Sequence, residues 1–195
     1  MIFFTSDLHL GHRNIIRYCN RPFKDTDEMD ETLIRNWNEI ILKTDTKIFT
    51  EPDEVYILGD LSLAPPKRTA QILDRLNGKK TLIRGNHDKR LVKKFSYILK
   101  DRGIEVFDLL EIAPLIGDKK QPITLCHYPM KVWNHSHQGA WMLHGHSHGN
   151  LPDNPDALIM DVGVDCHKYW PVPIDLIYHK MSEKKWKPVD HHGLR

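Results

Sequence analysis

The chain is 195 residues long with a mass of 22.9 kDa, a size that suits a single domain spanning residues 1–195. Apolar residues make up 40% and charged residues 28%, so a sizeable core can form and wholesale disorder is excluded. A net charge of +2 is too balanced to argue by itself for a nucleic-acid or membrane surface, and the longest apolar stretch, Ile112 to Ile116, is far short of the roughly 20 residues of a membrane span.

In chain order, an apolar run predicts a first strand over Ile2–Ser6. Helical periodicity follows over Asp30–Leu42, where Leu33, Trp37, Ile40 and Ile41 share a face. A strand over Glu54–Leu58 leads to a helix over Pro66–Leu76, opened by proline and closed by Asn77-Gly78. Next come a strand over Lys80–Arg84 and a helix over Lys89–Lys100. Strands over Ile104–Leu110, Ile112–Ile116, Pro122–Cys126, Ala140–Leu143 and Ala157–Asp161 fill the second half, with a last helix over Ile174–Met181. The first half therefore predicts βαβ units, and the second a mixed or antiparallel sheet packed against it. The polar tail from Lys184, with its His191-His192 pair, reads as a frayed end. Residues 1–20 carry Asp7, Arg13 and Arg17 and lack a signal peptide's apolar centre, which predicts a cytoplasmic protein without a membrane partner.

Three cysteines (Cys19, Cys126, Cys166), widely spaced and without a C-x-x-C pair, argue against a disulfide framework and a thiolate zinc site. Thirteen histidines point elsewhere, because several stand beside carboxylates or glycines. Imidazole and carboxylate without thiolate suit Zn, Mn, Fe or Ni. Five segments place potential ligands directly after a predicted strand: Ser6-Asp7-Leu8-His9, Gly59-Asp60, Gly85-Asn86-His87-Asp88, His127 and Gly145-His146-Ser147-His148. Strand ends that converge on one sheet edge are where α/β proteins build their sites. A lone Gly-Asp is usually a turn and a lone histidine usually packs. The repetition of one context five times is what carries the argument.

The order D-x-H, G-D, G-N-H-D, H, G-H-x-H resembles the calcineurin-like metallophosphoesterase superfamily, and Asp7-Leu8-His9-Leu10-Gly11-His12 is similar to its compact bacterial or phage-type branch. The resemblance implies an α/β fold, a four-layer αββα sandwich of two mixed sheets. It also implies two divalent metal ions (Mn, Fe, Zn or Ni, with Mn favoured in vitro): Asp7, His9 and His148 on one, Asn86, His127 and His146 on the other, and Asp60 bridging. In an extended Asp7-x-His9 segment the two side chains point the same way, so both can reach one ion. His146 and His148 share a side if extended, so each must tilt to its own ion. Two dications against two carboxylates and a bridging hydroxide leave roughly one positive charge for a phosphate oxygen to neutralise, and that hydroxide is the expected nucleophile.

The family pattern makes His87 the acid or electrostatic stabiliser at the leaving group, with Asp88 expected to orient its ring and raise its pKa. His12 and Arg13, just past His9, are candidates for substrate phosphate. The Trp133-Asn134-His135-Ser136-His137 loop is a candidate rim around the metals. His144 is expected to point away from the ion beside His146. Cys126, Trp37, Trp141 and Trp170 read as packing, Asp161 and Asp165 as support for a sheet edge, and Lys93-Lys94, Lys119-Lys120 and Lys184-Lys185 as solvated faces. Dinucleotide, P-loop and serine-elbow motifs are missing. The predicted activity is metal-dependent hydrolysis of a phosphate ester (a phosphodiesterase or phosphatase) on a small phosphate-ester or nucleotide substrate. The alternatives are a nuclease on single-stranded or end-exposed nucleic acid and a non-catalytic protein-binding scaffold; oligomeric state stays open.

Overall fold

The computed structural model describes residues 1–42 and 52–189, so the His191-His192 pair lies outside the described residues. In chain order the elements are β1 (Ile2–Thr5), α1 (Arg13–Tyr18), α2 (Thr26–Ile40), β2 (Glu54–Ile57), α3 (Pro66–Arg75), β3 (Lys79–Ile83), α4 (Lys89–Lys94) and α5 (Ser96–Lys100). The second half adds β4 (Glu105–Phe107), β5 (Leu109–Ile112), β6 (Leu115–Ile116), β7 (Lys119–Lys120), β8 (Ile123–Cys126), β9 (Trp141–His144), β10 (Ile159–Asp161), β11 (Val172–Pro173) and α6 (Ile174–Ser182).

Two mixed sheets form an α/β sandwich. One has the order β11-β1-β2-β3-β4, parallel except for β11; the other has the order β10-β9-β8-β5, parallel except for β5. Alternation along the first sheet splits its side chains between two cores. Phe3, Val55, Ile57 and Leu82 pack with Leu33, Trp37, Ile72 and Ile98 of the helices. Phe4, Leu58 and Ile83 pack with Ile123, Leu125, Met142 and Leu143 of the second sheet, together with Ile177 of α6. Trp37 and Trp141 are buried in these cores, as is Cys126, while Trp170 is half-buried. Among the described residues, no helix is long and apolar enough to cross a membrane.

Several boundaries differ from the sequence expectation. Helix α2 starts at Thr26, four residues early: Asp25 caps it by accepting from the Glu28 N–H at 2.9 Å, and Glu28 accepts from the Lys24 N–H. The expected strand Ile104–Leu110 is two strands in different sheets, with Asp108 at the crossing held to Arg84 at 2.8 Å. Apolar residues flank Asp108 on both sides, so the sequence reads as one continuous strand. Pro114 ends the next run, leaving a short β6–β7 hairpin around Gly117. The expected helix Lys89–Lys100 breaks at Phe95 into α4 and α5.

Because β1, β2 and β3 are parallel, their carboxyl ends share one edge. The loops after β1 and β2 then run side by side: the Asp7 N–H donates to Gly59 O, the His9 N–H to Asp60 O and the Leu10 N–H to Leu61 O, at 2.9–3.1 Å. The second sheet delivers His127 and Gly145 to the same edge, with Gly145 N–H donating to His127 O.

Candidate metal centre

Asp7, His9 and His148 each direct a donor atom into one group within 4.8 Å of one another, and Asp7, Asp60 and His127 form an overlapping group. The Asp60 Oδ2 atom lies 3.4 Å from His9 Nε2 and 3.7 Å from His127 Nε2, between the two sets. Asn86 Oδ1 sits 2.9 Å from His127 Nε2 and 3.1 Å from His146 Nδ1. The structure thus brings all seven expected ligands to one cluster.

Two features of those donors fit a pair of cations. Among the described residues, Asp7 Oδ1 and His9 Nε2 are buried without a hydrogen-bond partner, an arrangement that costs stability unless something electropositive meets them. The second feature is that imidazole nitrogens on the far side are anchored. His127 Nδ1 is 2.8 Å from the Leu58 carbonyl and His148 Nδ1 is 2.7 Å from Asp165 Oδ2, which puts the proton on Nδ1 and frees Nε2 as a ligand. Burial, with help from Arg21 and neighbouring imidazoles, lowers the His9 pKa to about 2, and burial also lowers those of His12 and His146, so these rings stay neutral and ready to bind. Burial raises Asp7 to about 6 despite opposing His148 and His127, a penalty that a bound cation would relieve. Cys19 also lies near His148 and Asp165, but burial pushes its thiol up to about 11 and keeps it protonated.

The backbone explains the convergence. Asp7, His9, Asp60, His146 and His148 all have φ between 48° and 70°, so the expectation of extended Asp7-x-His9 and His146-x-His148 segments is corrected. Five non-glycine ligands in the left-handed region are held against a cost of order 1–3 kcal/mol each, which tight tertiary bonding must offset. Room is made by glycine at two positions. A Cβ on Gly85 would run into the Asp60 carboxylate, and one on Gly145 would strike Ser6 Oγ and Asp7 Oδ2. In that space the His146 N–H donates to Asp7 Oδ2 at 2.8 Å, and the His87 N–H donates to Asp60 Oδ1 at 2.9 Å.

His87 stands at the solvent side of the cluster, its Nε2 3.9 Å from Asp60 Oδ2. Asp88 does not orient that ring. It is fully buried, and its two oxygens accept from the backbone N–H groups of Asp60, Leu61 and Gly85 at 2.8–2.9 Å. Burial raises its pKa against those bonds, and its effect is to tie the loop after β3 to the loop after β2. His12 lies beside the ligands, with Nδ1 3.2 Å from His9 Nδ1. Arg13 opens α1 as an exposed residue and is not drawn into the cluster by any ion pair or hydrogen bond among the described residues.

The expected rim over Trp133–His137 is also corrected: Trp133 is buried with Nε1 donating to Ala140 O, and the loop borders a separate cavity of about 1170 Å³ lined by none of the seven ligands. His144 is buried and turned to the Gly145 carbonyl. Sequence reasoning missed Arg21 and left Asp165 untied to the metals. The buried Arg21 guanidinium donates to both oxygens of Asp165 at 2.8 Å and to the carbonyls of Asp7 and Leu8. Arg21 and His148 hold Asp165 below its ordinary value despite its burial, and Asp165 with Asp7 in turn raises His148 against its own desolvation. Arg21 and Asp165 are 144 positions apart, so no local pattern could pair them.

A family model described as calcineurin-like phosphoesterase matches residues 1–193. The chain belongs to the calcineurin-like phosphoesterase family. Uncharacterized protein MJ1445 of Methanocaldococcus jannaschii is 36% identical over 190 residues, covering 94% of this chain and 92% of that protein. The Gene 66 protein of Mycobacterium phage L5 is 30% identical over 169 residues, 76% of this chain and 77% of its own length. Among solved structures, the protein of unknown function AQ665 from Aquifex aeolicus superposes with a TM-score of 0.64 at 23% identity, over 92% of this chain and 98% of that one, a likeness of fold. A calcineurin-like phosphoesterase fold implies metal-dependent phosphoester hydrolysis, and the clustered carboxylates and imidazoles are the groups such chemistry needs.

Proposed function

We propose that this chain is a dinuclear phosphodiesterase or phosphatase for small phosphate esters and nucleotides. The observation that carries the reading is Asp60 Oδ2, set between His9 Nε2 at 3.4 Å and His127 Nε2 at 3.7 Å, where one carboxylate can serve two ions. Asp7, His9 and His148 would hold one cation and Asn86, His127 and His146 the other. When bound, the pair supplies Lewis acidity toward the phosphoryl oxygens and toward an attacking water. The protein's own part is to fix the tautomers of His127 and His148, to hold Asp60 Oδ1 on the His87 N–H, and to keep the site electropositive by using neutral Asn86 as a ligand.

His87, more than two-fifths exposed on the approach side, is placed to give a proton to a departing alkoxide. The scaffold alternative has little to recommend it, because the seven donors and His87 stand together with two buried donor atoms unpartnered. The test is a panel on metal-stripped protein with Mn, Ni, Zn or Mg returned singly. Hydrolysis of bis-nitrophenyl phosphate only after metal return is expected. Protein carrying two ions that hydrolyses no phosphoester would overturn the reading.

A further inference from the structure

A second concavity, about 390 Å³, opens beside Asn86 and is lined by Arg84, Lys89, Lys93, Asp108 and Tyr128. It shares Asn86 with the ligand cluster, so an occupant lies alongside whatever sits at the metals. Three cationic side chains meet one carboxylate there. Arg84 is paired with Asp108 at 2.8 Å, whereas Lys89 and Lys93 have no ion pair among the described residues. These two lysines are i and i+4 on α4, a helix of only six residues, where like charges weaken the helix. Lys93 is exposed, as expected, and lines this hollow. The wall toward the metals is the exposed Tyr128, whose ring centroid is 4.8 Å from that of His146 and 4.9 Å from that of His127. The surplus of two positive charges matches a terminal phosphate, which carries close to two negative charges at neutral pH. An exposed aromatic next to it offers a face for a base.

We propose that this hollow is a subsite for a second phosphate group of the substrate, joined to the hydrolysed one through a nucleoside that rests on Tyr128. The inference rests on the phosphoesterase reading and narrows it to phosphodiesters carrying a further phosphate, found in small phosphorylated nucleotides and at nucleic-acid strand ends alike. The test compares TpT, which has one phosphate, with pTpT and TpTp, which add a terminal one on either side. Both kcat/KM and equilibrium binding to the metal-loaded protein are measured.

At least one phosphorylated dinucleotide should be favoured over TpT by about ten-fold or more, the effect of one charge-assisted hydrogen bond. In the Lys89→Ala/Lys93→Ala variant, and in Lys89→Gln/Lys93→Gln, that preference should fall to about two-fold or less, while Lys119→Ala/Lys120→Ala on β7, outside the lining of the hollow, keeps it. A wild type without the preference, or lysine variants that retain it, overturns the subsite. A terminally phosphorylated oligothymidylate separates the sources: a gain confined to the dinucleotides assigns small nucleotides, and an equal gain from the end phosphate of the longer chain assigns strand ends. If no diester is hydrolysed but the binding preference exists and vanishes in the lysine variants, the subsite stands and the phosphoesterase reading falls.

Discussion

Asp165→Asn isolates the support behind one metal ligand. In the folded protein Asp165 accepts from Arg21 Nε and Nη2 at 2.8 Å each and from His148 Nδ1 at 2.7 Å. The asparagine has one acceptor oxygen and a donor amide. If the oxygen stays on Arg21, the amide faces His148 Nδ1 and drives the ring's proton to Nε2, the atom needed for the metal. Loss of such an outer partner weakens metal binding by about 10–100-fold, or about 1.4–2.7 kcal/mol. Stability falls independently, because the Arg21 side chain is fully buried and its charge loses its counterion, at a cost of about 3–5 kcal/mol.

The depressed pKa of Asp165 means that its stabilisation is fully present above the ordinary value of 3.8 and is lost only as pH falls through the lower folded value, so assays near pH 7 read all of it. Chelator competition should show one of two ions weakened, and urea melts of metal-free protein should show the stability loss. Equal weakening of both ions, or unchanged affinity in a measurably destabilised variant, would refute the reasoning.

Asp88→Ala leaves three buried backbone N–H groups without an acceptor, at about 1–3 kcal/mol each, so metal-free protein should lose at least about 3 kcal/mol in urea melts. A loss under about 1 kcal/mol would show that the amides find other partners. His87→Ala should keep both ions in a metal titration, since no ligand atom is removed, yet lose about 10²–10⁴-fold in kcat on alkyl esters. Nitrophenyl esters, whose leaving group departs without a proton, should lose far less; an equal loss on both would end the proton-donor role. Gly85→Ala presses a methyl group against both the carboxylate and the backbone nitrogen of buried Asp60, so its metal affinity and its metal-free melt should both drop. A variant that binds both ions like wild type would count against Asp60 as the shared ligand.

The ligand types were legible because each follows a strand, and parallel strands β1, β2 and β3 necessarily end at one edge. His127 and His146 were legible for the same reason once β8 and β9 were recognised. How the side chains turn inward was not. Extended geometry was the reasonable expectation for Asp7-x-His9, but the left-handed φ values arise from tertiary bonds such as Asp7 N–H to Gly59 O, which no local propensity encodes. Asp88 was misassigned because adjacency to His87 suggested a pair, when the chain turns the carboxylate toward the amides of a different loop. Arg21 belongs to none of the ligand motifs, and the meeting of Ser6 with Gly163 across the sheet edge brings Asp165 to it. The passage from β4 to β5 at Asp108 was silent for a simpler reason: the apolar residues on both sides of it read as one strand.

The seven donors are drawn from both halves of the sandwich, Asp7, His9, Asp60 and Asn86 behind the first sheet and His127, His146 and His148 behind the second. Ions shared by these groups would act as a clasp at one end of the layered body, added to the apolar packing of Phe4, Leu58 and Ile83 against the second sheet. Prying the layers apart should therefore begin away from the clasp when it is shut and at it when a chelator has opened it, so that protease nicking shifts toward the loops after β8 and β9.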